Sequence, residues 1–229
     1  MCCARSRAFY RPGTRPYVPV EFSAAAFRFG HAQVRTLYDV NDAMRGVPIF
    51  PDLVGQRPVP ATYRPNWRRF FHVSGATAPQ ASKRLDTAYC AALMHLPYQL
   101  TGELERAEHA TLAYRDLQRG AAMELPSGED IARAMGAVPL DRDTLGLPPG
   151  VCSHGTPLTY YVLREAEVET GGQHLGRVGG RLVAEVIVGL LRADPTSYLS
   201  GSPDWRPTLP AMADDSFTMA DLLAATGEP

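Results

Sequence analysis

The chain has 229 residues, of which 45% are hydrophobic and 21% charged, and its formal net charge is −1. This composition is that of a folded domain and argues against intrinsic disorder. A net charge this close to zero provides no field that would draw the chain to nucleic acid or to an anionic membrane, so we expect neither partner.

Targeting and redox signals are weak. The first residues, MCCARSRAFYRPG, carry charge but no apolar run, so they are not a signal peptide as they stand. The apolar run LVAEVIVGLL is too short to span a bilayer and contains Glu185. The default expectation is therefore a cytoplasmic location, although the compartment stays unknown. No zinc-type or CxxC spacing occurs, so we expect four free thiols. They belong to Cys2, Cys3, Cys90 and Cys152.

The first predicted helix runs from Pro19 to Asn41, after an extended segment that is rich in Arg and Pro. Apolar residues recur in it at spacings of three and four, which predicts about five turns with one face packed inward. That face comprises Phe22, Ala25, Ala26, Phe29, Val34 and Leu37. His31 lies in the middle of the helix, and Arg28 lies one turn before it on nearly the same side.

A single imidazole on an apolar helix suits axial ligation of haem. His31 would supply the bond to iron, Gly30 would let a flat macrocycle approach the backbone, and Arg28 would pair with a propionate. The alternative is a hydrogen-bonded histidine with a structural role only.

Two helices are predicted in the middle of the chain, after a loop region with one short strand. The first spans Ser82 to Pro97, with Ser82 as its N-cap and His95 at its end, where an imidazole can interact with the last carbonyls. The second spans Glu103 to Met123. Its predicted inward residues are Leu104, Ala107, Thr111, Tyr114 and either Leu117 or Gln118.

The C-terminal part predicts four more helices. Ser127 caps one that ends at Gly136, and another spans Leu158 to Thr170. A third, from Arg181 to Ala193, is entered through two glycines and should be the most buried. A short terminal helix begins at Ser216 or Thr218. Between the first two, Cys152 and His154 could form a nucleophile or metal site, but no second pair of ligands accompanies them.

The segment AFRFGHAQV, from Ala26 to Val34, resembles the proximal-histidine helix of the animal-type haem peroxidases. It is preceded by EF and followed by YDVN, which extends the resemblance. The segment LPSGEDIARAMG, at Leu125 to Gly136, is similar to a later part of bacterial members of this family. The long segment from Pro157 to Leu199 is also similar and follows in the same order.

This resemblance implies a mainly α, helical haem-peroxidase-like domain. Residues 1–19 would be an extended N-terminal segment, and residues 20–229 the C-terminal half of the domain. In the family, the distal His, the distal Arg and the carboxylates that can link to haem all lie upstream of the proximal helix. Only 30 residues precede His31, so we expect a domain that is incomplete at its N-terminal, distal side.

The resemblance also assigns a second part of the site. In the family, an Asn on the next helix accepts a hydrogen bond from the proximal His, and an Arg three residues later lies near the haem edge. Counting back from LPSG places these positions on Asp116 and Arg119. A carboxylate in place of the amide would make the ligand more basic and lower the reduction potential of iron. The alternative is an exposed ion pair between Asp116 and Arg119.

The implied function is reduction of hydrogen peroxide with oxidation of an organic or halide donor. His31 would bind the iron of haem, Arg28, Asp116 and Arg119 would contact the cofactor or its ligand, and Asp116 and Arg119 would serve in catalysis. Without a distal base, O–O cleavage should be slow unless a second polypeptide supplies the distal half, and the chain alone need not retain haem.

Two other functions stay open. One is a non-catalytic remnant, a helical haem-binding or interaction module whose exposed apolar face favours self-association or a partner. The other is fatty-acid oxygenation, which needs a radical-bearing tyrosine that the sequence cannot select. The candidates are Tyr38, Tyr114, Tyr160 and Tyr161.

Overall fold

The structure is a computed structural model that describes residues 8–13, 15–55, 58–73, 75, 78–210 and 216–227. The described part is mainly helical, which confirms the predicted class. It forms two compact units, one from Met1–Val34 and Lys83–Pro203 and the other from Arg35–Ser82 and Asp204–Pro229. Among the described residues, no helix combines the length and apolarity needed to cross a membrane.

Two of the predicted free thiols are confirmed. Cys90 and Cys152 form no disulfide. Cys2 and Cys3 lie outside the described residues.

The first unit contains most of the helices. Its α-helices are α1 (Val20–Ala24), α2 (Ala91–Met94), α3 (Tyr98–Thr101), α4 (Leu112–Ala122), α5 (Gly128–Ala134), α6 (Arg142–Leu145), α7 (Leu158–Thr170), α8 (Arg177–Ala193) and α9 (Tyr198–Gly201). Two 3₁₀ helices, Ala26–Gln33 and Ala107–Ala110, belong to the same unit.

Helix α7 is the centre of this unit. It packs against α4, α5, α6, α8 and the 3₁₀ helix Ala26–Gln33. Its predicted bounds are confirmed, and Gly171 ends it in the left-handed conformation at φ +60°. Its buried residues lie on several sides of the helix, which explains its central position. They are Leu158, Thr159, Tyr161, Val162, Leu163, Glu165 and Ala166.

Helix α8 starts at Arg177, one turn before the predicted start at Arg181. The reason is a long-range cap, because the carboxylate of Glu165 accepts the N–H groups of Val178 and Gly179 at 2.9–3.0 Å. A carboxylate from α7 thereby satisfies two of the free donors at the first turn of α8.

The prediction that this helix is the most buried was wrong. Ile187 is 40% exposed, whereas α7 has more buried residues over a shorter length. The two helices approach closely at Gly179, where an added Cβ would lie 2.9 Å from Val162. The glycine at this position is therefore part of a helix contact and not a helix entrance.

The predicted helix from Ser82 to Pro97 was also wrong, because only α2 within it is helical. The N–H of Leu85 donates to the carbonyl of Gly172 at 2.8 Å, which holds this non-helical stretch beside the end of α7. The carboxylate of Asp86 then accepts the N–H of Ala88 at 2.9 Å and forms a turn. The second of these hydrogen bonds uses the N–H group of Ala88, which in an α-helix would donate to the carbonyl four residues earlier.

The predicted helix from Glu103 to Met123 is α4 preceded by the 3₁₀ helix Ala107–Ala110. Its predicted inward face was wrong, because Leu104 and Leu117 are 37% and 40% exposed. The buried residue of α4 is Asp116.

Helix α5 confirms the predicted cap, since the Ser127 hydroxyl accepts the N–H of Asp130 at 3.1 Å. The chain leaves this helix at Gly136, as predicted, with φ +73°.

The second unit has two antiparallel two-residue strands, β1 (Leu37–Tyr38) and β2 (Val47–Pro48), where one strand was predicted. Its 3₁₀ helices are Ala61–Tyr63 and Trp67–Arg69, and its α-helix is α10 (Met219–Thr226). Thr218 caps α10, which confirms one of the two predicted caps. The small core of this unit contains Val73, Ala220 and Leu223 with Phe71.

Candidate functional site

The segment that carries His31 is not the predicted five-turn helix. Helix α1 ends at Ala24, the chain bends at Ala25 with φ −135° and ψ −75°, and a 3₁₀ helix follows. The three consecutive residues Ala24 to Ala26 are all buried. The predicted inward position of Leu37 was also wrong, because that side chain is 53% exposed.

The 3₁₀ helix explains which side chains act together. With three residues per turn, residues i and i+3 are eclipsed and form straight rows. Ala26 and Ala32 are buried, and Phe29 of the same row packs against the core. Arg28 and His31 form the second row, so they project to one side, as predicted.

Asp116 is where this row meets α4. Its carboxylate is 1% exposed. Oδ2 lies 2.7 Å from Nδ1 of His31, and Oδ1 accepts a hydrogen bond from Nη1 of Arg28 at 3.1 Å. A buried carboxylate requires such donors, and a guanidinium also balances its charge. The structure thus brings together three of the four predicted site residues, and the alternative of an exposed pair between Asp116 and Arg119 is wrong.

This contact determines what His31 can do. An ionised carboxylate only accepts hydrogen bonds, so Nδ1 donates to Asp116, and in the neutral form of the imidazole Nε2 keeps its lone pair. Within the described part of the chain, Nε2 has no hydrogen-bond partner, and the side chain is 32% exposed. The imidazole can therefore ligate a metal or accept a proton through Nε2.

Tyr89 is a residue of the site that the sequence did not predict. Its hydroxyl donates to Oδ2 of Asp116 at 2.9 Å, the same oxygen that faces His31. Burial raises the pKa of Tyr89, and the negative charge of Asp116 raises that pKa further, so the phenol stays a donor. No local signal marks this residue. Tyr89 lies near Asp116 because the chain from Ser82 to Cys90 is not helical, contrary to the prediction from the sequence.

A cavity of about 600 Å³ lies beside this network. It is lined by Arg28, His109, Leu112, Arg115, Asp116, Gln118, Arg119, Ala122 and Met123. Three arginines and one aspartate give its wall a formal charge of +2 with His109 neutral. Arg119, the fourth predicted site residue, is thus in the wall but does not bond to Asp116, and His31 does not line the cavity.

Arg28 links the network to this cavity. Its Nη1 is bound to Asp116, while its Nε is buried and has no hydrogen-bond partner among the described residues. Because this Nε has almost no accessible surface, an occupant of the cavity would meet the rest of the guanidinium, which contributes to the formal charge of +2 of the wall. The wall therefore suits an anionic group.

The other candidates form no comparable cluster. The described residues contain no group of three His, Cys, Asp or Glu side chains that could hold a metal, which weakens the site considered at Cys152 and His154. Among the tyrosine candidates, the hydroxyls of Tyr160 and Tyr161 bond to the backbone of Leu145 and Leu140.

A scan against protein-family models finds no match, and a search of the curated proteins finds no significant one. The chemistry that the chain can support is therefore that of its site. Its defining feature is an imidazole oriented by a buried carboxylate, next to a basic cavity.

Proposed function

We propose that the chain binds haem through His31 and acts as a haem peroxidase, reducing hydrogen peroxide with oxidation of an organic or halide donor. The observation that carries the proposal is the 2.7 Å contact between Nδ1 of His31 and Asp116. Metal-ligating histidines commonly donate their second ring N–H to a carboxylate, which fixes the tautomer and raises the basicity of the ligand. Asp116 supports such a role.

The surroundings of His31 are compatible with a flat ligand. Gly30 precedes it, and a Cβ added there would meet no atom within 4 Å. Phe27, in the same row as Gly30, is 52% exposed and offers an apolar surface. These features support the approach of a macrocycle to the exposed side of the 3₁₀ helix.

The propionates of haem require cations. The cavity wall has a formal charge of +2, to which Arg28 and Arg119 both contribute. Arg28 and Arg119 would pair with propionate carboxylates there. The residues present therefore fit the proximal side of a haem site.

Haem, when bound, supplies the redox chemistry, and the chain supplies orientation and charge. Asp116 holds the Nδ1 proton of His31, and Arg28 balances the charge of Asp116. We assign none of the described residues to moving the proton of peroxide. Turnover by this chain should accordingly be slow, unless a second polypeptide provides a general base.

A second candidate function is a non-catalytic module that binds haem or a protein partner. It is favoured by exposed apolar side chains on the elements of the site, since Phe27, Leu117 and Met123 are 52%, 40% and 50% exposed. A module of this kind that binds haem differs from the first candidate in turnover only, whereas one that binds only a protein partner differs in haem binding as well.

Titration of the purified full chain with hemin tests both. We expect a Soret band whose position changes in His31→Ala and not in His95→Ala, which removes an exposed imidazole outside the network. An identical spectrum in His31→Ala would contradict the proposal. Peroxide-dependent oxidation of a phenol then separates the candidates, because haem binding without turnover supports the second one.

A further inference from the structure

We propose that Tyr89 is a positioning residue for His31, which holds the imidazole in the tautomer and orientation that present Nε2. It acts through Asp116 and through contact of the two rings. The proposal rests on the proposed function only for the identity of the ligand that Nε2 meets. The positioning itself is a property of the chain without haem.

The first step is the shared acceptor. Nδ1 of His31 and the hydroxyl of Tyr89 both lie within 2.9 Å of the same oxygen, Oδ2 of Asp116, while Arg28 takes Oδ1. Arg28 alone would leave the carboxylate free to tilt about its bond to Cβ. The hydroxyl of Tyr89, donating to Oδ2, fixes the plane of the carboxylate. The orientation of the carboxylate in turn fixes the direction in which the imidazole N–H must point.

The second step is the ring contact. The rings of His31 and Tyr89 meet edge to face, with centroids 6.3 Å apart and an angle of 77° between their planes. This is a preferred geometry for aromatic side chains. Flipping the imidazole would remove Nδ1 from Asp116, and the ring contact with Tyr89 limits rotations that would tilt the imidazole out of its present plane.

The third step is the rigidity of Tyr89 itself. Its ring packs against the buried cluster of Ala32, Leu85, Leu163 and Ala166. The backbone before it is held by the bond from Leu85 to Gly172 and by the turn at Asp86. Tyr89 is thus anchored from the core side, and its hydroxyl reaches Asp116 from a fixed position.

The hydroxyl of Tyr89 also affects how strongly Asp116 polarises His31. A hydrogen bond from Tyr89 to Oδ2 withdraws negative charge from the oxygen that polarises His31. Loss of the hydroxyl returns some negative charge to Oδ2, but it also frees the carboxylate to rotate, and we expect this loss of orientation to be the larger effect on His31.

The test is Tyr89→Phe in the full chain, which keeps the ring and removes the hydroxyl. Tyr98→Phe is the matched control, because Tyr98 is 67% exposed. Far-UV circular dichroism establishes that both variants fold. Nitrogen-15 NMR of the imidazoles, recorded without hemin, should show a single Nδ1–H tautomer for His31 in the wild type and in Tyr98→Phe, and a mixture of tautomers in Tyr89→Phe.

A single unchanged tautomer in Tyr89→Phe would overturn the proposal. A second measurement needs no variant: in the wild type, the hydroxyl proton of Tyr89 should be protected from exchange and show a nuclear Overhauser effect to the Nδ1 proton of His31. Its absence would overturn the proposal even if Tyr89→Phe failed to fold.

Hemin provides an independent readout. Loss of a direct carboxylate partner weakens metal binding roughly 10- to 100-fold, so loss of Tyr89, one contact further out, should speed hemin dissociation roughly 3- to 10-fold. If hemin fails to bind any variant while the tautomer of His31 still changes in Tyr89→Phe, the proposed function is wrong and the positioning role stands.

Discussion

Replacing Asp116 by alanine is the most direct test of the site, because this carboxylate organises it. Asp116 is 1% exposed and receives hydrogen bonds from Arg28, His31 and Tyr89. Alanine would leave three donors facing an empty space, one of them a guanidinium without its counter-charge. The variant should therefore lose stability as well as the orientation of the imidazole.

The magnitude follows from burial. Removing one partner of a buried ion pair destabilises a protein by roughly 3–5 kcal/mol. The side chains of Arg28 and His31 keep 24% and 32% of their exposure, so water can solvate them in part. We therefore expect the lower end of that range, a decrease of about 3 kcal/mol in the free energy of unfolding for Asp116→Ala.

Asparagine separates charge from shape. In Asp116→Asn, the single carbonyl oxygen can still accept from His31 and Tyr89, but the amide NH₂ would face Nη1 of Arg28. One repulsive donor pair and the lost charge should reduce the free energy of unfolding by about 2 kcal/mol. The order wild type, asparagine, alanine is thus part of the prediction.

Urea unfolding of the apoprotein, followed by far-UV circular dichroism, measures these differences. Asp143→Ala is the control, since this aspartate is exposed on the short helix α6 and should change stability by no more than roughly 0.5 kcal/mol. A decrease as small as this in Asp116→Ala would refute the conclusion that the carboxylate holds the site together.

Two further predictions concern the helices around α7. An added Cβ at Gly128 would lie 2.0 Å from Cγ of Tyr161, so Gly128→Ala should lower the free energy of unfolding by about 1–3 kcal/mol or more. At Gly120 of α4 the nearest atom to an added Cβ is 3.7 Å away. Gly120→Ala should therefore raise the free energy of unfolding by about 0.5–1 kcal/mol. Thermal unfolding orders the variants, and the reverse order would contradict this packing. Burial raises the pKa of Glu129, but hydrogen bonds from the hydroxyl and N–H of Thr156 outweigh it and hold that pKa below 4.5. A lowered carboxyl pKa stabilises the fold above pH 4.5, and this stability is lost as the pH falls through the lowered value, so acidification should destabilise the wild type more steeply than Glu129→Gln. The free energy of unfolding is measured by urea unfolding at several pH values. An equal dependence of this free energy on pH in the wild type and in Glu129→Gln would contradict the prediction.

The parts of the fold that could be predicted are those with local signals. The hydroxyl of Ser127 caps α5, and Gly171 ends α7 in a conformation that other residues rarely adopt. Apolar residues between such signals leave little freedom for the helix bounds. The start of α8 was missed because its cap, Glu165, comes from another helix and has no signature in the neighbouring sequence.

The stretch before α2 failed for a related reason. Its composition favours a helix, yet Leu85 bonds to Gly172, a residue far away in the sequence. Helix propensity amounts to a few tenths of a kcal/mol per residue, which a tertiary contact readily overrides. The same override delivers Tyr89 to Asp116, so a residue of the site was lost together with the conformation of its segment.

The predicted pairing of Arg28 with His31 was correct although the type of helix was not. Residues i and i+3 lie on one side of both an α-helix and a 3₁₀ helix, so Arg28 and His31 were correctly placed together although the predicted five turns do not exist. Asp116 was located by its distance from LPSG, and its burial in α4 is unexpected for a charged residue unless it has partners. A buried carboxylate on a helix whose other residues are half-buried or exposed is thus itself a signal, because its donors must come from elsewhere in the chain. Tyr89 is such a donor: it is distant from Asp116 in the sequence and within hydrogen-bond distance of it in the fold.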